Sequence, residues 1–325
     1  MYRVGFDIGG TNIKAGIVGE DLKILSHRNI PFPTGESYKK VVALLAELVK
    51  DMAKDLQVPV MELGTIGIAV PGSIDVTETI VIHAHNLGFQ NAPIKSEMKE
   101  YFPHSSIYLA NDANAATLAE LYAGAFRGCK TAVLLTLGTG VGGGLILGGR
   151  LFNGGMNHGV EPGHMIISKD GPLCSCGNRG CIESLCSATW LVNQGEIVIK
   201  EQLESLIFSK ANGLPEQVTA KMVIDSAKEG DKIAREIFNY YIESLSAAVS
   251  SIINLLDPEV IALGGGVSLA GDFLFDPLRE RVQEKCFHKV AHKIVPAQLG
   301  NDAGIIGAAM LGDEVHDDKV IKKES

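Results

Sequence analysis

The chain has 325 residues, of which 46% are hydrophobic, and its 29 basic and 38 acidic side chains give a formal net charge of −9. This composition excludes a disordered or collagen-like chain, and the acidic balance argues against general binding to nucleic acid or membrane surfaces. Glycine is in excess, with 37 residues, or about 11% of the chain against roughly 7% in an average protein. A surplus of about 14 glycines predicts loops in which bare backbone approaches a bound molecule.

The N-terminal segment lacks the layout of a signal peptide, because residues 1–4 run directly into an apolar segment. The uncharged stretch 131–149 contains seven glycines and few bulky side chains, which favours a glycine-rich hairpin over a membrane span. We therefore expect a soluble, cytoplasmic protein that binds neither membranes nor nucleic acid.

The first part of the chain predicts an α/β unit. A strand over residues 4–8 and a return strand over 13–18 enclose the loop Gly9–Asn12. An amphipathic helix follows over residues 37–56, with Ser37 as its N-cap and apolar side chains at 3-4 spacing. Two buried strands and a further helical run come next, over residues 65–70, 107–110 and up to about 125.

The second part repeats the opening pattern. A strand over residues 133–137 and its return over 144–147 enclose another glycine loop. Alignment of the two hairpins places Thr136 at the position of Asp7. A diverged duplication explains this pattern, and two unrelated hairpins are the alternative. A long helix and a buried strand follow, over residues 233–256 and 260–263.

Three glycine loops have the character of nucleotide-binding turns. In the first, from Asp7 to Thr11, consecutive backbone N–H groups can bind phosphate oxygens and the aspartate can hold Mg²⁺. It is neither a P-loop nor a dinucleotide fingerprint, because no Gly-Lys-Ser/Thr follows and the next element is a strand. The second loop spans 138–144, and the third, at 264–268, lies where adenosine can rest on bare backbone. Each loop also has a simpler alternative. The first fits an ordinary hairpin, the second a flexible loop, and the third a plain strand-to-helix turn.

Asp112 ends a predicted strand and begins a predicted helix. A carboxylate in this place can act as a general base that orients a hydroxyl and accepts its proton during phosphoryl transfer. The alternative is that Asp112 is simply the N-cap of the helix.

Three of the six cysteines fall within eight residues, which favours a metal site over disulfides in a chain of this kind. The spacing allows a four-thiolate site from Cys174, Cys176, Cys181 and Cys186, or a site in which His164 replaces Cys186. Four protein ligands with no open position indicate a structural zinc ion, not a hydrolytic one.

Together these motifs resemble the ROK family of bacterial sugar kinases and related repressors. The resemblance spans about residues 4–311 and implies an α/β chain with the actin/hexokinase-like (ribonuclease H-like) ATPase fold, two α/β domains around a cleft. The motifs that carry it are Asp7-x-Gly-Gly-Thr11, the second Gly-Thr-Gly loop, Asn111-Asp112, Glu161-Pro-Gly-His164 and Cys174-x-Cys-Gly-x-x-Gly-Cys181-x-Glu183.

On this basis we expect a smaller α/β domain over residues 1–112, onto which a C-terminal helix at about 303–311 packs back. A larger α/β domain over residues 113–302 would carry the zinc knuckle. The charged residues 313–325 predict a frayed tail.

The resemblance implies ATP-dependent phosphorylation of a hexose 6-hydroxyl, with glucose favoured as the sugar. It also implies ATP, Mg²⁺ and a structural Zn²⁺ as cofactors, and a homodimer. Other ROK kinases, acting on mannose, fructose, allose or N-acetylhexosamines, are alternatives, as are a sugar-responsive ROK repressor and an actin-like ATPase. The strand at residue 4 leaves no room before it for a DNA-binding helix-turn-helix, and the Glu/His/Cys cluster argues against an ATPase without a sugar substrate.

The resemblance also implies a role for each matching residue, with Asp112 as the catalytic base. The sugar-binding set is Gly72, Asn86, Asn111, Asp112, Glu161, His164 and Glu183. The nucleotide-binding set is Asp7, Gly9, Gly10, Thr11, Asn12, Lys14, Thr136, Gly138, Thr139, Gly140, Gly264, Gly265 and Gly266. The metal set is His164, Cys174, Cys176 and Cys181, which leaves Cys186 as a small buried residue. The nucleotide loops and the metal segment contain thirteen glycines, close to the surplus in the composition.

Overall fold

The computed structural model describes residues 2–155 and 159–321 of the chain. The strands are β1 (Tyr2–Ile8), β2 (Asn12–Val18), β3 (Ile24–Pro31), β4 (Leu63–Val70), β5 (Ser73–Ile74), β6 (Val81–Ala84), β7 (Phe89–Ala92), β8 (Ser106–Asn111), β9 (Thr131–Leu137), β10 (Val141–Leu147), β11 (Arg150–Leu151), β12 (Val260–Gly264) and β13 (Ile294–Pro296). The helices are α1 (Tyr38–Asp55), α2 (Ile94–Tyr101), α3 (Asp112–Ala123), α4 (Ile182–Cys186), α5 (Ala188–Lys200), α6 (Leu206–Lys210), α7 (Ala220–Lys228), α8 (Lys232–Leu256), α9 (Asp272–Lys285) and α10 (Ala303–Ile321).

The chain forms two compact units. The first comprises Met1–Lys130, Gly144–Val160 and Gln298–Ser325, and the second comprises Thr131–Gly143 and Glu161–Ala297. The first unit therefore includes α3, which lies beyond the boundary expected at residue 112. The reason is the close packing of α3 on α10, where a Cβ on Gly307 would lie 1.7 Å from the carbonyl oxygen of Ala115.

The first unit is built on a five-stranded sheet of order β3-β2-β1-β4-β8. β1, β2 and β3 pair antiparallel, whereas β1, β4 and β8 pair in parallel. Helix α1 begins at the predicted cap, since the Ser37 side chain accepts a hydrogen bond from the Lys40 backbone N–H. The buried face of α1 contributes to one core with apolar side chains of β1, β2 and β4.

Helix α10 lies directly against the strands of this sheet. A Cβ on Gly5 of β1 would lie 1.9 Å from the carbonyl oxygen of Ile305, and one on Gly67 of β4 would lie 1.8 Å from that of Ala308. Such distances leave no room for any side chain, so glycine is required at both positions. The helix continues to Ile321, well into the segment predicted as a frayed tail, and residues 322–325 lie outside the described residues.

The second five-stranded sheet has the order β11-β10-β9-β12-β13, with β9, β12 and β13 in parallel. Strand for strand, this order repeats that of β3-β2-β1-β4-β8, which supports the predicted duplication. A small antiparallel sheet, β5-β6-β7, is inserted between β4 and β8 of the first unit. Within the described residues, no helix combines the length and apolar character that a membrane crossing requires.

Candidate active site

Asp7 lies near the end of β1, directly opposite Lys14 of β2. The Lys14 ammonium lies 3.3 Å from Asp7 Oδ2, and both side chains remain partly exposed. The backbone of Gly304, at the start of α10, also lies against the Asp7 side chain. The predicted Mg²⁺-binding carboxylate is thus held in place by a neighbouring strand and a neighbouring helix.

The first glycine loop is a tight turn, closed by a hydrogen bond of 2.8 Å from the Gly9 N–H to the Asn12 carbonyl. Thr11 at its tip is exposed. The turn also approaches Asn86, because a Cβ on Gly10 would lie 3.1 Å from that of Asn86. The fold therefore brings a predicted sugar-binding residue next to a predicted phosphate-binding turn, 76 positions away in the sequence.

Asn111, not Asp112, is the N-cap of α3. Its side-chain oxygen accepts hydrogen bonds from the N–H groups of Ala113 and Asn114, at 2.8 and 3.4 Å. The Asn111 amide also donates to the carbonyl of Gly72 at 3.2 Å. The Ala113 N–H also lies 2.9 Å from Asp112 Oδ1. Because Asn111 is the N-cap and accepts from both N–H groups, the exposed Asp112 carboxylate is not needed as the cap.

Gly72 occupies a turn that only glycine fits. Its φ is +140°, and a Cβ there would lie 2.2 Å from the carbonyl oxygen of His83. The turn therefore places the Gly72 carbonyl where the Asn111 amide can donate to it.

The second glycine loop is anchored from outside itself. The Ala188 N–H donates to the Gly138 carbonyl at 2.7 Å, and the Thr189 hydroxyl donates to the Thr139 carbonyl at the same distance. Both anchors come from the first turn of α5, and a Cβ on Gly138 would contact only the Gly140 carbonyl oxygen, at 3.9 Å. The loop is thus a fixed turn with exposed backbone, and the flexible-loop alternative does not apply.

In the third loop, Gly264 pairs with Thr136 across the parallel strands β12 and β9. Gly265 must be glycine, since its φ is +81° and a Cβ would lie 2.4 Å from the Leu137 carbonyl oxygen. Gly266, in contrast, has nothing within 4 Å of the position a Cβ would take. The missing side chain at residue 266 leaves room for a flat group to lie on the backbone.

The cysteine motif folds around one point. Nδ1 of His164 lies 3.6 Å from the Cys174 sulfur, and the sulfurs of Cys176 and Cys181 are 3.7 Å apart. One ligand atom from each of these four residues lies within 4.8 Å of the other three. A tetrahedral zinc ion, with Zn–S bonds of about 2.3 Å, separates its ligand atoms by roughly 3.5–3.8 Å. The donor set and its spacing therefore fit zinc.

Cys186 is not part of this cluster. It is fully buried in α4, burial raises the pKa of its thiol, and its carbonyl accepts a hydrogen bond from the Tyr241 hydroxyl at 2.6 Å. The four-thiolate alternative is thus wrong. Within the cluster, the Asn178 backbone N–H lowers the pKa of Cys176, whereas burial raises that of Cys181, so metal binding there would release protons.

Glu183 connects the cysteine motif to the second glycine loop. One carboxylate oxygen accepts hydrogen bonds from the Ser175 hydroxyl at 2.7 Å and from the Cys174 thiol at 3.6 Å. The other accepts from the Val141 N–H at 3.1 Å and occupies the space beside Gly140, where a Cβ would lie 2.4 Å away. This carboxylate fixes the position of the loop relative to the cysteines.

Glu161 begins the short helical turn that presents His164. A Cβ on Gly163 within that turn would lie 1.8 Å from the Val141 carbonyl oxygen, so the turn packs on the backbone of β10. Desolvation raises the pKa of the Glu161 carboxyl; His164 opposes this effect and the Glu183 carboxylate adds to it.

Comparison with known proteins decides the family. The model of the ROK family matches residues 3–315. The chain belongs to the ROK family. It is 36% identical over 314 residues to a glucokinase of Thermotoga maritima, covering 96% of this chain and 97% of that protein.

Among solved structures, a ROK family glucokinase from Streptomyces griseus, in complex with glucose and AMPPNP, superimposes with a TM-score of 0.79 at 30% identity, covering 96% of this chain and 99% of that one. A ROK hexokinase from Thermus thermophilus gives 0.83 at 31%, covering 98% and 100%. The predicted family and the predicted actin/hexokinase-like fold are both confirmed.

The sequence did not predict a role for three residues of this ROK chain. Ser175 donates a hydrogen bond to Glu183, and Thr189 donates one to the second glycine loop. Gly304 lies against Asp7. Ser175 lies inside the recognised cysteine motif, whereas nothing local distinguishes Thr189 or Gly304 from ordinary helix residues.

Proposed function

We propose that this ROK protein is an ATP-dependent hexose kinase that converts glucose to glucose 6-phosphate. The observation that carries the proposal is the exposed Asp112 carboxylate at the start of a helix that Asn111 already caps. The family membership and the similarity to glucokinases support the same reaction.

In the proposed reaction Asp112 accepts the proton of the sugar 6-hydroxyl. The freed oxygen forms a bond to the γ-phosphorus of ATP while the bond from that phosphorus to the bridging β,γ-oxygen breaks, and ADP leaves. A positioned base contributes about 10²–10⁴-fold, and placement and charge stabilisation supply most of the rest.

The nucleotide is assigned to the three glycine loops. Gly9, Gly10 and Thr11, with Asn12, and the turn Gly138–Gly140 would hold phosphates, and Gly264–Gly266 would hold adenosine. Asp7, paired with Lys14, would hold Mg²⁺, which when bound neutralises charge on the phosphate oxygens.

The sugar is assigned to Glu161, His164 and Glu183, together with Gly72, Asn86, Asn111 and Asp112. Carboxylates are good acceptors for neighbouring sugar hydroxyls, and their prior orientation lowers the entropic cost of binding. A structural zinc ion at His164, Cys174, Cys176 and Cys181 would fix the Ser175 hydroxyl that binds Glu183.

A coupled assay of ADP release with a panel of sugars tests the proposal. We expect turnover with glucose and none above background without sugar. Substantial sugar-independent ATP hydrolysis would favour the ATPase alternative, and faster turnover with mannose, fructose, allose or an N-acetylhexosamine would replace glucose in the proposal. We further propose that the enzyme acts in the cytoplasm and that it is a homodimer. Sedimentation measurements test the oligomeric state.

A further inference from the structure

A cavity of about 410 Å³ opens in the first unit, on residues that have no role in the proposed reaction. Its lining comes from α2, from β8 and from the loop before β6, and consists of Lys95, Ser96, Lys99, Ser106, Ile107, Tyr108 and Thr79. Its volume falls in the range that small-molecule sites occupy.

Both lysine side chains are held in the cavity by specific contacts. The Lys99 ammonium donates to the carbonyl of Ser105 at 2.6 Å, and the Lys95 ammonium lies 5.6 Å from the centre of the Tyr108 ring. Ser106, the first residue of β8, lines the same cavity as the two lysines.

Two acidic side chains near the cavity are engaged with other partners. Glu97 of α2 pairs with Lys39 of α1 at 3.4 Å. The Asp75 carboxylate accepts hydrogen bonds from the N–H groups of its own loop, including those of Thr79 and Ile80 at 2.7 and 2.6 Å. In the described part of the chain, no carboxylate lies within ion-pairing distance of Lys95 or Lys99.

Lys95 and Lys99 stand four residues apart on one helix, and like charges at this spacing destabilise a helix. The two glutamates of α2, Glu97 and Glu100, balance the charge of the helix as a whole, but neither forms an ion pair with Lys95 or Lys99, so both ammonium groups at the cavity lack acidic partners among the described residues. An anion bound between them would remove the repulsion. A phosphoryl group suits the lining because it carries up to two negative charges and three acceptor oxygens, which two ammonium groups and serine hydroxyls can satisfy.

We propose that this cavity, between α2 and β8, is an accessory binding site for a small phosphate-bearing anion. Inorganic phosphate, pyrophosphate and a sugar phosphate share the required chemistry. Only the sugar phosphate depends on the proposed function, since glucose 6-phosphate is its expected product.

Calorimetric titration of the full chain in low-salt chloride buffer, separately with phosphate, pyrophosphate and glucose 6-phosphate, tests the site. We expect at least one probe to bind, and Lys95→Gln and Lys99→Gln each to weaken it by about tenfold or more. Lys99→Arg, which keeps the charge and a donor to Ser105, should retain most of the affinity. Lys50→Gln is the matched control, because Lys50 of α1 also lies over a tyrosine ring, that of Tyr101 at 5.5 Å, but outside the cavity.

The inference is overturned if no probe binds at millimolar concentration, or if every binding probe binds both glutamine variants as tightly as the unmodified chain. In the second case the anion occupies the proposed kinase site instead. Thermal unfolding of each variant checks that it is folded. Binding of inorganic phosphate is measured without turnover, so failure of the kinase assay and failure of this site are separate results.

Discussion

The backbone of Gly304 lies against the side chain of Asp7, so that a Cβ on residue 304 would come 2.5 Å from Asp7 Cγ and 2.7 Å from Asp7 Oδ2. Any side chain at residue 304 must displace the carboxylate. A residue on the last helix of the chain thus determines where the first strand places its acid.

Gly304→Ala should therefore weaken the binding of Mg·ATP, although alanine stabilises the helix α10 itself. Alanine is better than glycine by about 1 kcal/mol inside a helix, so a loss of function could not be ascribed to helix propensity. We expect KM for Mg·ATP and the Mg²⁺ requirement to rise by about tenfold or more, with KM for glucose nearly unchanged. Steady-state kinetics at varied Mg²⁺ measure this.

The control is a double-mutant cycle with Asp7→Ala. If the alanine at residue 304 acts by displacing Asp7, it should add no further loss once the carboxylate is gone. Fully additive effects would contradict the proposed route.

Asp112→Asn should lower kcat by about 10²–10⁴-fold and leave stability unchanged, because the amide cannot accept the hydroxyl proton and Asn111 still caps α3. Asn111→Ala should instead reduce the free energy of unfolding by about 1 kcal/mol, as loss of a cap does. Kinetics and urea unfolding of both variants separate the two roles. A fully active Asp112→Asn enzyme would exclude the base assignment.

Metal analysis of the purified chain should find one zinc ion, lost in Cys176→Ser and retained in Cys186→Ala. Chelation should raise KM for glucose more than KM for ATP. The second glycine loop keeps its anchors from Ala188 and Thr189, whereas Glu183 loses the support of Ser175. An unaltered KM for glucose in zinc-free protein would count against the coupling through Glu183.

Gly67→Ala should destabilise the first unit by about 1–3 kcal/mol or more through overpacking, since its Cβ would lie 1.8 Å from the Ala308 carbonyl oxygen. Gly155→Ala is the control, because no atom lies within 4 Å of the position its Cβ would take. Urea unfolding of the two variants provides the comparison, and equal stabilities would contradict the close approach of α10.

Asp75 should make stability depend on pH in the acid range. Partial burial would raise the pKa of Asp75, but hydrogen bonds from the Thr77 hydroxyl and from the N–H groups of Ile80, Thr79 and Thr77 outweigh burial and hold it well below its usual range. A lowered folded-state pKa stabilises the fold above the unfolded-state value, about 3.9, and this contribution is lost as the pH falls towards the folded-state value.

Asp75→Asn should therefore reduce the free energy of unfolding by about 1 kcal/mol at neutral pH, after allowance for solvent screening of a partly exposed group. The gap between the two proteins should narrow below about pH 4. Urea unfolding of both proteins from neutral to acid pH measures the gap, and one that stays constant with pH would rule out the charge as its cause.

Local patterns predicted those parts of this protein whose partners are close in sequence. The hairpin around Gly9, the cap at Ser37 and the cysteine motif all follow from short-range spacing. The sequence offered only Asp112 as a possible N-cap of α3, and the backbone geometry assigns that role to Asn111 instead.

The sequence did not predict where all of the surplus glycines are needed. Nearly all of that surplus was assigned to nucleotide and metal loops, yet Gly5, Gly67 and Gly307 are required where α10 packs against the sheet and α3. Gly5 and Ile305 are 300 positions apart, and no periodicity within a strand reveals a contact at that range. The walls of the Lys95 and Lys99 cavity come from separate elements, so no pattern within one element reveals this cavity either.

The glycine contacts of α10 also set an order for biosynthesis. The sheet of residues 2–111 is made early, but the helix that fits against Gly5 and Gly67 emerges roughly 190 residues later, about 10–40 seconds at a synthesis rate of 5–20 residues per second. During that interval the nascent unit has an uncovered glycine-lined surface that a chaperone could shield. The part of the protein translated first is the part completed last.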